Sequence, residues 1–342
     1  MPATARPVAG GSGADRDNVD MTAVVPTETP TLVSGTPVVL RAHGYEAAIA
    51  SVGASLRSLT FDGRDLVVPF AADELRPAYR GTTLAPWPNR VVDGIHHFDG
   101  VEHQLPLTEP NRGHALHGLL SWVDWNVREA TDDSVTLVAT ITAQAGYPWW
   151  VVVSTTFSLD ADGLTQIVRA TNLSDTPAPW GTGPHPYLVA GPATLDEWTL
   201  GLPADTVLEV TPDRLAPVAL ASVTSDAERF DFREPRVLGA VEIDHAYTGL
   251  LPDAGARTTV TLTDPSGTGV AMSWGADCAW VQIHTADLPA GPGTPGHRAG
   301  LAVEPMTCAP DAFNDDAYDF ATGVVSLDPG ASHEAGWTIS AR

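Results

Sequence analysis

Trp150-Val151-Val152-Val153-Ser154-Thr155-Thr156-Phe157-Ser158-Leu159 and Leu164-Thr165-Gln166-Ile167-Val168-Arg169-Ala170-Thr171-Asn172 flank the tripeptide Ala161-Asp162-Gly163. Both flanks are dense in β-branched residues, which fit a pleated surface. The Asp-Gly pair between them supplies the positive φ angles of a tight turn. The whole reads as a β-hairpin. Upstream, Val135, Leu137, Ala139 and Ile141 alternate with Thr136, Val138, Thr140 and Thr142. A period of two belongs to a half-buried strand.

The same signal recurs in both directions. Val38–Leu40, Tyr45–Ile49 and Leu66–Val68 are short apolar runs, and Asp62-Gly63, Asp93-Gly94 and Asp99-Gly100 sit between strand-like segments. Thr258–Thr263, Val270–Trp274, Ala279–Thr285, Leu301–Val303 and Trp337–Ser340 continue the series. No segment of eleven or more residues shows helical periodicity. The 31 glycines and 29 prolines suit many turns and few helices. These features predict an all-β fold, a large antiparallel sandwich with few short helices. No repeat or central linker appears, so residues 31–342 are expected to form one domain. Residues 1–30 lack periodicity and read as a disordered tail.

Composition removes whole classes of function. No run of 18 apolar residues exists, which speaks against a membrane helix. Met1–Asp20 lacks an apolar centre, so the reading is cytoplasmic. A net charge of −24 disfavours nucleic acid as a partner. Every one of the 18 basic residues is arginine. Without lysine there is no Schiff base for pyridoxal phosphate or lysine aldolases, and no Walker loop. Two cysteines, Cys278 and Cys308, make neither a disulfide framework nor a zinc cluster.

Candidate chemistry lies in short motifs. Gly300-Leu301-Ala302-Val303-Glu304-Pro305 carries one carboxylate at the end of an apolar strand, and Pro305, unable to donate, is expected to end that strand. Gly183-Pro184-His185-Pro186-Tyr187 brackets a histidine with rigid prolines. In Gly113-His114-Ala115-Leu116-His117-Gly118, two histidines three apart could hold a metal on a helix, but the glycines favour a loop presenting one histidine to a pocket. Trp87-Pro88-Asn89-Arg90, Glu242-Ile243-Asp244-His245 and Trp280-Val281-Gln282-Ile283-His284 add polar groups in apolar settings. Asp311, Asp315, Asp316 and Asp319 read as a solvated loop. Arginine, histidine, aspartate, glutamine and glutamate on separate strands, beside indole faces, suit a hydroxyl-rich ligand.

Taken in order, Trp87-Pro88-Asn89-Arg90, Ala115-Leu116-His117-Gly118, Gly183-Pro184-His185-Pro186-Tyr187, Ile243-Asp244-His245, Val281-Gln282 and Ala302-Val303-Glu304-Pro305 resemble the motifs of aldose 1-epimerases (galactose mutarotases). The resemblance spans about Val38 to Ile339. It implies the large antiparallel β-sandwich of the galactose mutarotase type. It also implies an isomerase that interconverts α and β anomers of a free aldohexose by opening and reclosing the ring. Glu304 matches the catalytic base, His185 the catalytic acid and His117 the second active-site histidine. Arg90, Asn89, Asp244 and Gln282 match sugar-contacting positions. No cofactor or metal is implied, and the partner is a small monosaccharide, with the protein a monomer or homodimer. Many members have Asn before the acid histidine and a second Gly after the other, where this chain has Pro184 and Leu119. Those departures leave the substrate open.

Mutarotation requires the anomeric hydroxyl to lose a proton while the ring oxygen gains one. The sequence reading places base and acid on opposite sides of the C1–O5 unit. Other functions stay open beside it. An epimerase of phosphorylated or sulfonated hexoses needs an arginine cluster that the sequence does not display. A sugar-binding module would bind without accelerating. A metal-dependent isomerase using His114 and His117 would be inactivated by chelators.

Overall fold

The computed structural model describes residues 32–342, so the disordered tail expected for residues 1–30 lies outside the described residues. The hairpin forms. Val151–Asp160 pairs antiparallel with Gly163–Asn172, from Val151 opposite Asn172 to Asp160 opposite Gly163. The turn proper is Ala161-Asp162, and Gly163 already belongs to the second strand. A Cβ on Gly163 would collide with the Ile339 carbonyl of the next strand, Ser332–Ala341, so glycine is required for that approach.

This hairpin supplies the third and fourth strands of a nine-stranded antiparallel sheet. In spatial order it runs Asn126–Ala130, Ser134–Ile141, Val151–Asp160, Gly163–Asn172, Ser332–Ala341, Gly269–Trp274, Thr258–Thr263, Thr199–Gly201 and Arg236–Val237. Val135, Leu137, Ala139 and Ile141 are buried and their neighbours are not, as the period of two requires. Trp125, Trp198, Trp274 and Trp337 fill the core on this side.

A six-stranded antiparallel sheet runs Tyr187–Leu188, Leu301–Met306, Trp280–His284, Asp244–Leu250, Ala204–Val210 and Pro217–Ser222. Val281, Ile283, Leu301 and Val303 join the same core as the tryptophans of the larger sheet, so the two sheets share one apolar interior. The alternate residues point the other way, and there the cleft forms. A four-stranded sheet, Pro37–Ala42, Tyr45–Ala50, Ser55–Phe61 and Arg64–Asp65, completes the larger elements. Among the described residues, no helix is long and apolar enough to cross a membrane.

Three local expectations change. Asp62-Gly63 and Asp99-Gly100 close hairpins, but Asp93-Gly94 does not: Arg90–Val92 pairs with His114–Leu116, and Ile95–Phe98 with Val101–Gln104. Asp311 is buried rather than solvated. It accepts from the Val92 N–H at 2.8 Å and the Tyr318 hydroxyl at 2.5 Å. Finally, the strand does not end at Pro305 but continues to Met306. The N–H groups of Val303 and Thr307 point away from Trp280–His284, toward Pro186 O and Thr182 O. N–H direction alternates along a strand, so Pro305 lacks its donor on that outer side and the ladder to Trp280–His284 loses nothing.

Candidate active site

Glu304 and Gln282 are registered opposite each other on neighbouring strands, and Asp244 is registered opposite His284. Residues two apart share a face, so Asp244, Gln282, His284 and Glu304 form one polar patch on the sheet. Gln282 Nε2 donates to Asp244 Oδ1 at 2.7 Å, and His284 Nδ1 lies 3.8 Å from the same oxygen. Small apolar clusters flank the patch: Trp280, Ala246 and Met306 on one side, Tyr187, Ala286 and Ala302 on the other.

His185 arrives on the chain beside Leu301–Met306. Tyr187 is opposite Ala302 and Leu188 opposite Leu301. The Val303 N–H to Pro186 O and Thr307 N–H to Thr182 O bonds continue that register, which sets His185 opposite Glu304 and Pro184 opposite Pro305. The His185–Glu304 rung is a non-hydrogen-bonded one, where facing side chains approach most closely. His185 Nε2 lies 3.5 Å from Glu304 Oε1. The expectation of acid and base on opposite sides of a sugar is therefore corrected: they stand side by side, because they are cross-strand neighbours.

A separate two-stranded ladder builds the other wall. Arg90 begins one strand and Leu116 ends its partner. Asn89 and His117 flank the ladder with left-handed φ angles of 54° and 61°, joined by a 2.8 Å bond from His117 N–H to Asn89 O. Gly118 follows because a Cβ there would collide with the Ala85 carbonyl. The Arg90 guanidinium is held by Glu109 in a two-point pair, Nε–Oε2 2.8 Å and Nη2–Oε1 3.1 Å. Asn89 Oδ1 accepts from the Arg90 N–H at 3.0 Å. The His117 and His185 rings meet edge to face, with centroids 5.0 Å apart.

Together Glu304, His185, His117, Arg90, Asn89, Asp244 and Gln282 line one cleft of about 570 Å³. Burial governs its electrostatics. It pushes the Glu304 carboxyl well above its ordinary range; Asp244 adds to this and Arg90 opposes it. It pushes His185 down to about 3, with a further push from His284. His117 goes well below its ordinary value, first through burial and then through His185 and Arg90. Burial would raise Asp244 too, but His284, Arg90 and the Gln282 hydrogen bond bring it below the usual carboxylate range. Glu304 Oε2, Gln282 Oε1, His117 Nδ1 and His185 Nδ1 are buried without a partner among the described residues. Such atoms are costly unless something polar meets them.

The sequence reading missed several lining residues. Glu109, which anchors Arg90, carries no local signal, because its partner is a chain-distant guanidinium. Tyr79 and Arg112 also reach the cleft, as does His284, a polar group in the motif around Gln282 to which the sequence assigns no role. His114 is not among the lining residues. Its Nε2 is 2.9 Å from Arg214 O and its Nδ1 accepts from the Asp93 N–H, so both ring nitrogens are committed away from His117. Neither Pro184 nor Leu119 lines the cleft; Pro184 faces an apolar void beside Trp337 and Leu164.

Residues 37–340 match the family described as aldose 1-epimerase. The chain belongs to the aldose 1-epimerase family. It is 38% identical over 282 residues to the uncharacterised protein YihR of Escherichia coli K12, covering 82% of this chain and 87% of that one. It is 27% identical over 225 residues to the galactose mutarotase of Mus musculus, covering 61% and 64%. The structure of a GalM/aldose epimerase homologue from C. elegans superimposes with a TM-score of 0.75 at 25% identity, over 89% of this chain and 98% of that one. A putative aldose 1-epimerase from Escherichia coli K12 gives 0.75 at 22%, over 90% and 99%. An aldose 1-epimerase is an isomerase, and its ligand is a small sugar.

Proposed function

We propose that this aldose 1-epimerase interconverts the anomers of a free aldohexose in the cytoplasm, with Glu304 as base and His185 as acid. One observation carries the assignment: the two buried groups face each other at 3.5 Å, Glu304 on the strand Leu301–Met306 and His185 on the segment beside it, and open onto a cleft lined by polar atoms that have no partner among the described residues. The anomeric oxygen and the ring oxygen are bonded to the same carbon. A base for one and an acid for the other must therefore be neighbours.

In the opening step the Glu304 carboxylate takes the proton of the anomeric hydroxyl. The C1–O1 unit becomes a carbonyl, the C1–O5 bond breaks, and O5 takes a proton from the His185 imidazolium. Rotation about C1–C2 presents the other carbonyl face, and the same two protons return. The open-chain complex thus holds a neutral acid and a neutral imidazole, the forms that burial favours at these two positions. Sugar hydroxyls donating to Glu304 favour its charged form for the next opening. Each proton transfer contributes roughly 10²–10⁴-fold. His117 assists at the same carbon, while Arg90, Asn89, Asp244 and Gln282 hold the remaining hydroxyls. Only protons move, so no cofactor is called on.

The test is polarimetry of freshly dissolved α-glucose and α-galactose. The proposal expects equilibration well above the buffer rate for at least one aldose; no acceleration with any aldose, alongside measurable binding, would select a sugar-binding module instead. A second reading has an observation behind it. The fold gathers Arg90, Arg112 and Arg229 into one cleft, which the sequence did not display, and an anionic hexose would use them. Glu109 already neutralises two of these, and Glu242, Asp244 and Asp287 line the same space, which favours the uncharged sugar. A marked preference for a 6-phosphate or 6-sulfonate over the parent hexose would reverse that choice.

A further inference from the structure

Arg76 is a buried charge that the proposed chemistry leaves unused. Its side chain is 6% exposed. The guanidinium donates to Val52 O at 3.2 Å, to Ser55 Oγ at 2.7 Å and to Ser121 O, all of them neutral. The Trp122 ring covers it at 4.3 Å. Burial pushes its pKa down to about 10. A cation buried among neutral partners costs stability, and an unbranched apolar side chain would fill the same space without that cost. The fold nevertheless makes room for it: a Cβ on Gly53, which has a φ of 69°, would collide with Arg76 Nη1, Thr82 Oγ1 and Ser121 O together.

What Arg76 holds explains why it is kept. Ser121, whose carbonyl it grips, donates its hydroxyl to His117 O at 2.6 Å. Three residues along from Arg76, the Tyr79 ring packs edge-on against His117 with centroids 4.7 Å apart and lies 6.4 Å from His185. Ala78 and Tyr79 have φ angles of 46° and 54°, a conformation non-glycine residues adopt when their surroundings enforce it. Two routes therefore run from one guanidinium to the same residue, through Ser121 to the His117 carbonyl and along the 76–79 segment to the Tyr79 ring against the imidazole.

We propose that Arg76 is a positioning residue for His117, clamping the 117–121 loop and the 76–80 segment so that the imidazole is fixed between Tyr79 and His185. The proposal rests on the cleft being the sugar site. The charged and titratable groups around His117 are Arg76 and Tyr79 from that segment, His185 from the chain opposite Glu304, and Arg90, His284 and Glu304 from the strands. Arg76 and Arg90 both favour the neutral imidazole, which acts on the sugar as a hydrogen-bonding partner.

The experiment compares Arg76→Met and Arg76→Lys with the wild-type chain in three measurements: thermal unfolding, polarimetric kcat and KM, and NMR titration of the His117 ring protons, assigned by their loss in His117→Gln. Arg76→Met is expected to stay folded and lose about 10- to 100-fold in kcat/KM, the scale of a misplaced group. Its His117 signals should shift and begin to titrate at higher pH. Arg76→Lys, which restores the charge but grips fewer carbonyls, should recover part of the loss. A folded Arg76→Met with wild-type kcat/KM and unmoved His117 signals overturns the proposal. Should Arg76→Met not fold, Arg76→Lys decides: a partial loss with shifted His117 signals supports the clamp, and wild-type behaviour overturns it. The NMR arm needs no turnover, so a wild-type chain inert toward every aldose would count against the sugar reaction alone.

Discussion

Two buried glutamines, one on each sheet, live under different rules. Gln166, in the nine-stranded sheet, donates to Thr83 Oγ1 at 2.8 Å and Thr155 Oγ1 at 3.0 Å, and accepts from Trp337 Nε1 at 3.1 Å. Gln282, on the six-stranded sheet, donates once, to Asp244, and its carbonyl oxygen has no partner among the described residues. Glu304 Oε2 and His185 Nδ1 beside it are in the same condition. In the larger sheet the Gln166 site satisfies its hydrogen bonds within the protein. The smaller one holds polar atoms ready for something that is not protein, at a cost to its own stability.

The sharpest way to break this contrast is Glu304→Gln, which keeps the shape and removes the base. Turnover is expected to fall by about 10³-fold or more, with sugar binding by calorimetry close to wild type. Loss of folding instead would make Glu304 a structural residue. The same variant reads the proton balance. The folded carboxyl binds its proton above the unfolded value near 4.5. Its contribution to stability is therefore full below that pH and is lost as pH rises through the raised folded value. The melting temperature of Glu304→Gln should accordingly gain on wild type between pH 5 and 8, and a constant difference would contradict the buried-acid reading.

Next in size are the glutamines themselves. Gln166→Leu strands the Thr155 hydroxyl and the Trp337 indole N–H, while Thr83 keeps its bond to Ala54 O, so chemical denaturation should show a loss of about 2–4 kcal/mol, with KM unchanged in the folded fraction. Gln282→Leu should shift stability by less than about 1 kcal/mol yet raise KM about tenfold, roughly one hydrogen bond. Matching effects from both would dissolve the distinction.

The smallest expected change comes from Glu109→Gln. It loosens one end of the Arg90 clamp without touching the proton carriers, and about a threefold to tenfold rise in KM at constant kcat is expected. A fall in kcat would place Glu109 closer to the reaction than its geometry suggests. The pH–rate profile adds a further check. The Glu304–His185 pair works with one proton between them, so activity should fall toward pH 3, where a second proton binds, and again above the raised Glu304 value, where the last one leaves.

The strand pattern was legible because Val135, Leu137, Ala139 and Ile141 need only their own spacing to reveal a buried face. The motifs around Glu304, His185 and His117 were legible for a related reason, since each carries its own local framing of glycine, proline or apolar neighbours. What stayed hidden depends on partners far along the chain. Glu109 is defined by Arg90, Asp311 by Val92 and Tyr318, and the side-by-side placement of Glu304 and His185 by a register that only pairing creates. Pro305 misled for the same reason: whether a missing N–H matters depends on which neighbour it would have faced. Pro184, where this chain departs from the family motif, lines a small void beside Trp337 and not the cleft, which its sequence position does not reveal.

Glu304, Asp244 and Gln282 hang from one sheet and His185 lies against it, so bending of that sheet carries the base, the acid and two sugar-holding groups as a unit. The Arg90–His117 corner rides on a separate ladder. Warming should therefore loosen Arg90, Asn89 and His117 from the sugar before it parts Glu304 from His185, and the contacts at that corner would fail at a lower temperature than the acid–base pair.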